Sequence, residues 1–587
     1  MIVAGFSQPR LRGARADSDR VAKSFPAWIV PWLVWSGIFI GSSPALAANP
    51  PTFTRDIAPI LFRNCAPCHR PGEAGPFPLL TFADAGKRAR DLAEVAARRF
   101  MPPWLPDEGV ELFRDARRLS DPEIALVRAW ADAGAPEGQP EDLPPPPKFT
   151  AGWQLGPPDL VVTLPTAYEL GPDGPDLYRN FVVPLPLVSN RFVRTFEFRP
   201  ESPAIHHARL LLDTTGEARK REGKEAAPGF GGTMPPGHHP PGYLLVWAPG
   251  RLPSRGEDGL AWRLEPGADL IVQLHLQRTG KRERVRPQIG FYFTELPPTK
   301  TPFLVGLLAQ VIEIPPGATN YSITRSFTLP AAADLLAVMP HAHYLGREIL
   351  FTTTAPGGSP QTRLHIPRWD FNWQGEYRYA KPIALAAGTR LGFRITFDNS
   401  TNNLRNPNQP PQRVRHGPQT TDEMAELWLQ LIPRDAAGLA GLQRAYRDFS
   451  TAENAARFTD DLRLEPNNAA AHLELAKSLG ALGRKDEAFE HLLKSAELRP
   501  DRAETFHYLG VFFLEQGQFP SAREALGRAL QLDAEFYRSQ LALGLVALAE
   551  DKPDEAETHF RTVLKLNPGN ADAQRKLAEI AARRRGK

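Results

Sequence analysis

The stretch Cys65-Ala66-Pro67-Cys68-His69 holds the only two cysteines of a 587-residue chain, with a histidine directly behind the second. In C-x-x-C-H, two thiols form thioether links to the vinyl groups of a c-type haem and the following imidazole takes one axial iron position. Two other chemistries use closely spaced cysteines. A thioredoxin-like redox pair would sit in a βαβ pattern, which is missing here, and a zinc half-site would need two further soft ligands in a chain with no more cysteines. For the second axial position the natural candidate is Met101, in Phe100-Met101-Pro102-Pro103-Trp104, because no other methionine lies in this part of the chain. A core methionine is the plain alternative.

Five of the fourteen histidines fall in a second set of patterns: the pair His206-His207, the single His275 in Gln273-Leu274-His275, and His341-Ala342-His343. Residues two apart on a strand point the same way, so His341 and His343 can clamp one ion together. Imidazoles suit copper, zinc, iron or nickel, and a thioether narrows the choice toward copper. Met424, in Asp422-Glu423-Met424, supplies that thioether. Taken singly, each histidine could equally be a satisfied core or surface residue. His238 and His239 lie in a Gly/Pro-rich loop and are expected to be solvent-exposed rather than an extra metal site.

The ordered set His-His, Gln-x-His, His-x-His-x-x-Gly and Asp-Glu-Met resembles the copper type II monooxygenases, the family of peptidylglycine α-hydroxylating and dopamine β-monooxygenases. The segment Tyr243-Leu244-Leu245-Val246-Trp247-Ala248-Pro249-Gly250 adds to the likeness, which covers about half the chain. The resemblance implies two β-sandwich domains with one copper each. It assigns His206, His207 and His275 to an electron-supplying copper, and His341, His343 and Met424 to the copper that binds O₂ and cleaves a substrate C–H bond. The chain departs from the family in three ways. Met339 stands where the peptide hydroxylase carries its carboxylate-binding arginine, Trp428 replaces a substrate-side tyrosine, and the family's disulfides are missing. A C-terminal glycine substrate is therefore not expected, and the pocket should be more apolar or aromatic.

These residues need elements to position them. A chain of this length exceeds one hydrophobic core, and about 150 residues per domain suggests three or four units. Residues 1–47 read as an export signal, with Arg10, Arg12, Arg15 and Arg20, an apolar stretch from Ala27 to Ile40, and Ala45-Leu46-Ala47. A periplasmic or secreted location follows, with an uncleaved membrane anchor as the alternative. Residues 51–140 are helix-rich and are expected to form a cytochrome c-like haem domain, and 141–151 a Pro-rich linker. Short apolar or alternating runs separated by Pro and Gly turns then predict antiparallel sheet, as two jelly-roll-like sandwiches over 152–297 and 298–435. Sixty prolines fit that reading.

Pro466, Pro500, Ala534 and Pro568 stand 34 residues apart, as do Ala476, Gly510 and Gly544, and Ala488, Ala522 and Ala556. That period resembles the tetratricopeptide repeat and predicts an α-solenoid over 450–585 that docks a protein partner. Lys+Arg 70 against Asp+Glu 66 gives no basic excess for nucleic acid. The expected protein is an exported oxidoreductase with a c-type haem and two copper ions, acting on O₂ and a small organic substrate with an electron donor at the haem. A non-catalytic electron-transfer or copper-binding protein with a repeat scaffold is the competing reading.

Overall fold

The computed structural model describes residues 50–149 and 152–585, apart from residues 72, 74 and 234, so the expected signal segment lies outside the described residues. The chain forms two compact units, one built on residues up to Pro102 together with Arg118–Phe149, the other on Pro103–Arg117 and Thr150–Lys587.

In the first unit the helices Ala58–Asn64, Ala89–Ala97 and Asp121–Asp132 enclose a core of Phe53, Ile57, Leu61, Leu92, Val127 and Trp130. The last of these helices starts where the sequence dictates. Ser120 and Glu123 form a reciprocal capping box, each side chain meeting the other's backbone N–H, and Pro122 occupies the first turn, where its missing N–H costs nothing. Trp130 is fully buried, with its indole N–H donated to the Pro136 carbonyl at 3.0 Å.

In the second unit, antiparallel strands build two sandwiches. A five-stranded sheet of the first places Leu177–Pro184, Asp269–Leu276 and Ile205–Asp213 side by side at its centre. Its inner face, with Leu210, Leu212, Leu270, Val272 and Leu274, packs against the sheet containing Arg191–Arg199 and Gln288–Thr294. Alternation therefore turns His207, Arg209, Gln273 and His275 to its outer face. The second sandwich repeats the plan. Leu427, Leu429 and Leu431 of Ala425–Pro433 point into the core with Leu335 and Val338 of Ala333–Ala342, which leaves Ala337, Met339, His341, Glu426, Trp428 and Gln430 on the outer face.

The segment Pro103–Arg117 departs from the expectation of one uninterrupted domain over 51–140. It belongs to the second unit, where Ala380 N–H donates to the Leu112 carbonyl at 2.7 Å and the Phe113 ring lies 5.1 Å from Tyr379. The physical reason is aromatic: Trp104 and Phe113 bury their faces against Tyr377 and Tyr379.

The helix Ala436–Leu464 leaves the second sandwich with Asp435 capping its N-terminus through Gly438 N–H. Tyr446 and Phe449 lie against Phe327, and Glu453 pairs with Arg325 at 3.0 Å. Three helix pairs and a final helix, Ala571–Arg585, follow. Small residues recur where the paired helices cross for a steric reason: a Cβ on Gly510 would lie 2.5 Å from Leu526, and one on Gly544 2.6 Å from Phe560.

Within this solenoid His507 is 7% exposed, with Nδ1 3.1 Å from Ser539 Oγ. Burial, helped by nearby Arg538, pushes its imidazole pKa down to about 4. The unfolded state then binds the proton more tightly, so stability is full above pH 6.5 and falls progressively as pH drops toward 4. At pH 5 the repeats should lose about 2 kcal/mol relative to pH 7.5. Hydrogen exchange of Ala503–Glu515, corrected for intrinsic rates, checks this, and the pH dependence should flatten in His507→Leu.

Candidate metal and haem centres

His206 and His207 are adjacent, so regular strand geometry would send their rings to opposite faces. A register shift between Ile205 and His207 breaks the alternation, and both rings approach His275 on the neighbouring strand. The ring centroids lie 4.8 to 5.5 Å apart, and one nitrogen from each ring falls within 4.8 Å of the others. The nitrogens have distinct duties. His275 Nε2 meets Asp176 Oδ2 at 2.9 Å, which fixes the proton there and leaves the Nδ1 lone pair facing His207 Nδ1 at 3.4 Å. Tyr178 stacks on His275 with centroids 4.4 Å apart and donates its hydroxyl to the Pro418 carbonyl.

Burial keeps the His206 and His207 rings neutral, the form that binds metal. It lowers the His206 pKa to about 3 and carries His207 well below its ordinary value, with the neighbouring His275 adding to both effects. His206 Nε2 is buried without a hydrogen-bond partner. Three imidazoles, one with an orphaned nitrogen and one oriented by a carboxylate, form a donor set that a copper-type ion would complete. Asp176→Asn should weaken metal binding here by about 10- to 100-fold. Competition against a chelator of known affinity measures it.

The second set is built on the strand Ala333–Ala342 and its continuation. His341 pairs with Glu426 and Ala342 with Ala425, and His343 and Met424 are the residues that follow this last pair on each strand. The His341 and His343 rings are 5.2 Å apart. Here Nδ1 is the nitrogen tied down: that of His341 by Gln374 Oε1 at 2.5 Å and that of His343 by the Asp422 carbonyl at 3.1 Å. Nε2 is left as the untied nitrogen of each. Burial again holds both imidazoles below their ordinary pKa. Two neutral imidazoles, with the Met424 thioether just beyond the end of the ladder, fit a copper ion.

Glu423 organises this corner. Fully buried, its carboxylate accepts the backbone N–H of His343, of Leu345 at 3.0 Å and of Met424 at 2.8 Å. Burial pushes its pKa up to about 8 against the lowering effect of those N–H groups. Phe371, 2% exposed, stands between the two sets, with ring centroids 4.5 Å from His206 and 5.3 Å from His343.

In the first unit, His69 N–H donates to the Cys65 carbonyl and His69 Nδ1 lies 3.0 Å from the Phe77 carbonyl. The Nδ1–H is thereby spent on a backbone acceptor, and Nε2 is free to be an axial ligand. Gly75 leaves room for the turn, since a Cβ there would lie 2.6 Å from the Cys68 carbonyl and 2.8 Å from His69 Nδ1. The cysteines and the oriented imidazole fit covalent haem attachment. Met101 is half-buried beyond Ala89–Ala97, its N–H directed at the Val95 carbonyl.

His238 is exposed, as its loop suggests, whereas His239 turns inward. Its Nε2 lies 3.5 Å from Arg209 Nη2, and its Nδ1 is buried without a partner. Asp176, Tyr178, Phe371 and Gln374 carry no signal in the local sequence. Glu423 had one, its place in Asp422-Glu423-Met424, without indicating what it holds.

Tetratricopeptide-repeat family models match residues 469–502, 509–557 and 541–586. DnaJ homolog subfamily C member 3 is 30% identical over 109 residues in Homo sapiens and 32% over the same length in Mus musculus, covering 19% of this chain and 22% of each relative. The chain thus spans about a fifth of the length of these curated relatives. Among solved structures, MamA aligns at 24% identity over 23% of this chain and 78% of its own, with a TM-score of 0.22. An Arabidopsis OM64 TPR domain aligns at 20% over 19% and 93%, with a TM-score of 0.19. On the family-model matches, residues 469–586 of this chain carry tetratricopeptide repeats, a module for docking protein partners.

Proposed function

We propose that this protein is an exported, O₂-dependent monooxygenase with a covalent c-type haem and two mononuclear copper sites. When bound, copper at His341, His343 and Met424 would supply O₂ activation, while copper at His206, His207 and His275 and the haem at Cys65, Cys68 and His69 would supply electrons.

The observation that carries this reading is the division of labour between ring nitrogens. His275, His341, His343 and His69 each commit one nitrogen to a fixed acceptor, respectively Asp176, Gln374, the Asp422 carbonyl and the Phe77 carbonyl. One nitrogen tied and the other left over is the arrangement that a metal-ligating imidazole needs, whichever of the two nitrogens is tied.

The chain's own residues do the preparatory work. Asp176 holds the His275 proton on Nε2, and Tyr178 covers the other ring face. Glu423 ties the backbone of His343 to that of Met424, so the thioether and the imidazole keep one spacing. Phe371 fills the space between the two sets and excludes water from it. The repeats bring the enzyme to a protein partner.

Haem reoxidation tests the reading. In copper-loaded protein with prereduced haem, mixing with O₂ and a hydroxylatable substrate should reoxidise the haem faster than O₂ alone, and Met424→Ala should abolish the acceleration. Equal rates with and without substrate would contradict the relay.

A further inference from the structure

Between the two sandwiches of the second unit lies a cleft of about 100 Å³, open to solvent, that none of the expected metal ligands lines. We propose that this cleft is a binding site for a neutral, ring-containing molecule bearing a hydroxyl group. Its role as the substrate site rests on the oxygenase reading above; its ligand class stands on the cleft alone.

Place comes first. Met339 and Trp428 line the cleft, and they are register partners on the same strands as the His341 and Glu426 pair. Two residues of strand separate Met339 from His341 on one face, roughly 7 Å. A molecule seated against Met339 and Trp428 therefore lies beside the second histidine set.

The walls give the chemistry. Tyr243 and Trp262, with ring centroids 5.1 Å apart, face the cleft from the first sandwich, and Trp428 faces it from the second. Flat aromatic walls favour stacked or edge-on rings. The wall's charges are already spent: Arg251 pairs with Glu376 at 2.5 Å, and Arg378 bridges Glu376 and Glu257 at 2.5 and 2.6 Å. Arg194 is solvent-exposed. An ionised ligand would have to break these pairs, whereas a neutral one would not.

Three polar atoms of this lining are buried with no partner: Tyr243 Oη, Trp262 Nε1 and Gln430 Oε1. Gln430 is held by its amide N–H₂ donating to the Gly242 carbonyl at 2.8 Å, which turns its oxygen elsewhere. Unpartnered groups of this kind are uncommon in buried positions and costly, and these three belong to residues that line one cleft, two from the first sandwich and one from the second. Two donors and one acceptor match a hydroxyl, which can accept from Tyr243 or Trp262 and donate to Gln430.

Binding to the full-length, metal-free protein, followed by tryptophan fluorescence and calorimetry, tests the proposal with 4-ethylphenol, ethylbenzene and 4-ethylbenzoate as probes. 4-Ethylphenol should saturate one site, ethylbenzene should bind about tenfold more weakly, and 4-ethylbenzoate should bind no more tightly than ethylbenzene. Tyr243→Phe, which removes only a hydroxyl, should weaken 4-ethylphenol about three- to tenfold and leave ethylbenzene unchanged. No saturable binding, tenfold tighter binding of 4-ethylbenzoate, or full affinity in Tyr243→Phe would each overturn it. Copper counted on separate samples keeps the two ideas apart. Two coppers per chain without 4-ethylphenol binding overturns the cleft alone, and binding without copper uptake overturns the oxygenase reading alone.

Discussion

Glu423→Ala is expected to destabilise the second sandwich by about 3–6 kcal/mol, because several buried backbone N–H groups lose their acceptor together and each unpaired group costs about 1–3 kcal/mol. His343, Leu345 and Met424 all donate to this one carboxylate, which has no solvent exposure. The comparison with Glu423→Gln separates acceptor loss from packing. The amide keeps one carbonyl oxygen but presents N–H₂ where the second oxygen stood, so it should recover part of the loss and not all of it. Urea unfolding followed by the fluorescence of Trp369 and Trp428 reads both variants. A loss below about 1 kcal/mol in Glu423→Ala would mean that water replaces the carboxylate, and the corner would then not be held as described.

His275→Ala is the second large effect. It removes the one imidazole of the first set that a carboxylate orients, and the other two, His206 and His207, are neighbours on a single bulged strand. Two adjacent imidazoles without the third should hold copper more than about a hundredfold more weakly, exceeding the 10- to 100-fold expected when only an outer partner such as Asp176 is lost. In electron paramagnetic resonance, one of two Cu(II) signals should vanish while the signal from the His341 and His343 site persists. Loss of both signals would show that the sets are one coupled centre rather than two.

What was legible in the sequence and what was not divides along chain separation. Cys65, Cys68 and His69 sit within five residues, so the candidate haem motif is visible locally. The 34-residue period was equally open, because Gly510 and Gly544 must be small wherever paired helices cross. The candidate histidines could be listed in order, yet the bulge that turns His206 and His207 to one side is invisible in a string that predicts alternation. The partners were further out of reach: Asp176 lies 99 residues from His275, and Glu423 80 residues from His343. Phe371 looked like any core phenylalanine and instead stands between the two sets. Pro103–Arg117 was read with its helical neighbours because nothing local reveals that Phe113 packs against Tyr379, 266 residues away. His239 left its expected exposed loop because Arg209 offers it a partner across the sheet face.

The central claim is that two separate copper sites and one haem belong to the same chain. Counting metals in the full-length protein and in Met424→Ala, by elemental analysis for copper and by the pyridine haemochrome for haem, tests it most directly when paired with O₂ uptake. The account predicts two coppers per haem in the wild type, with substrate-dependent uptake that Met424→Ala abolishes. A wild-type protein that takes up no copper, or whose uptake survives in Met424→Ala, would contradict it.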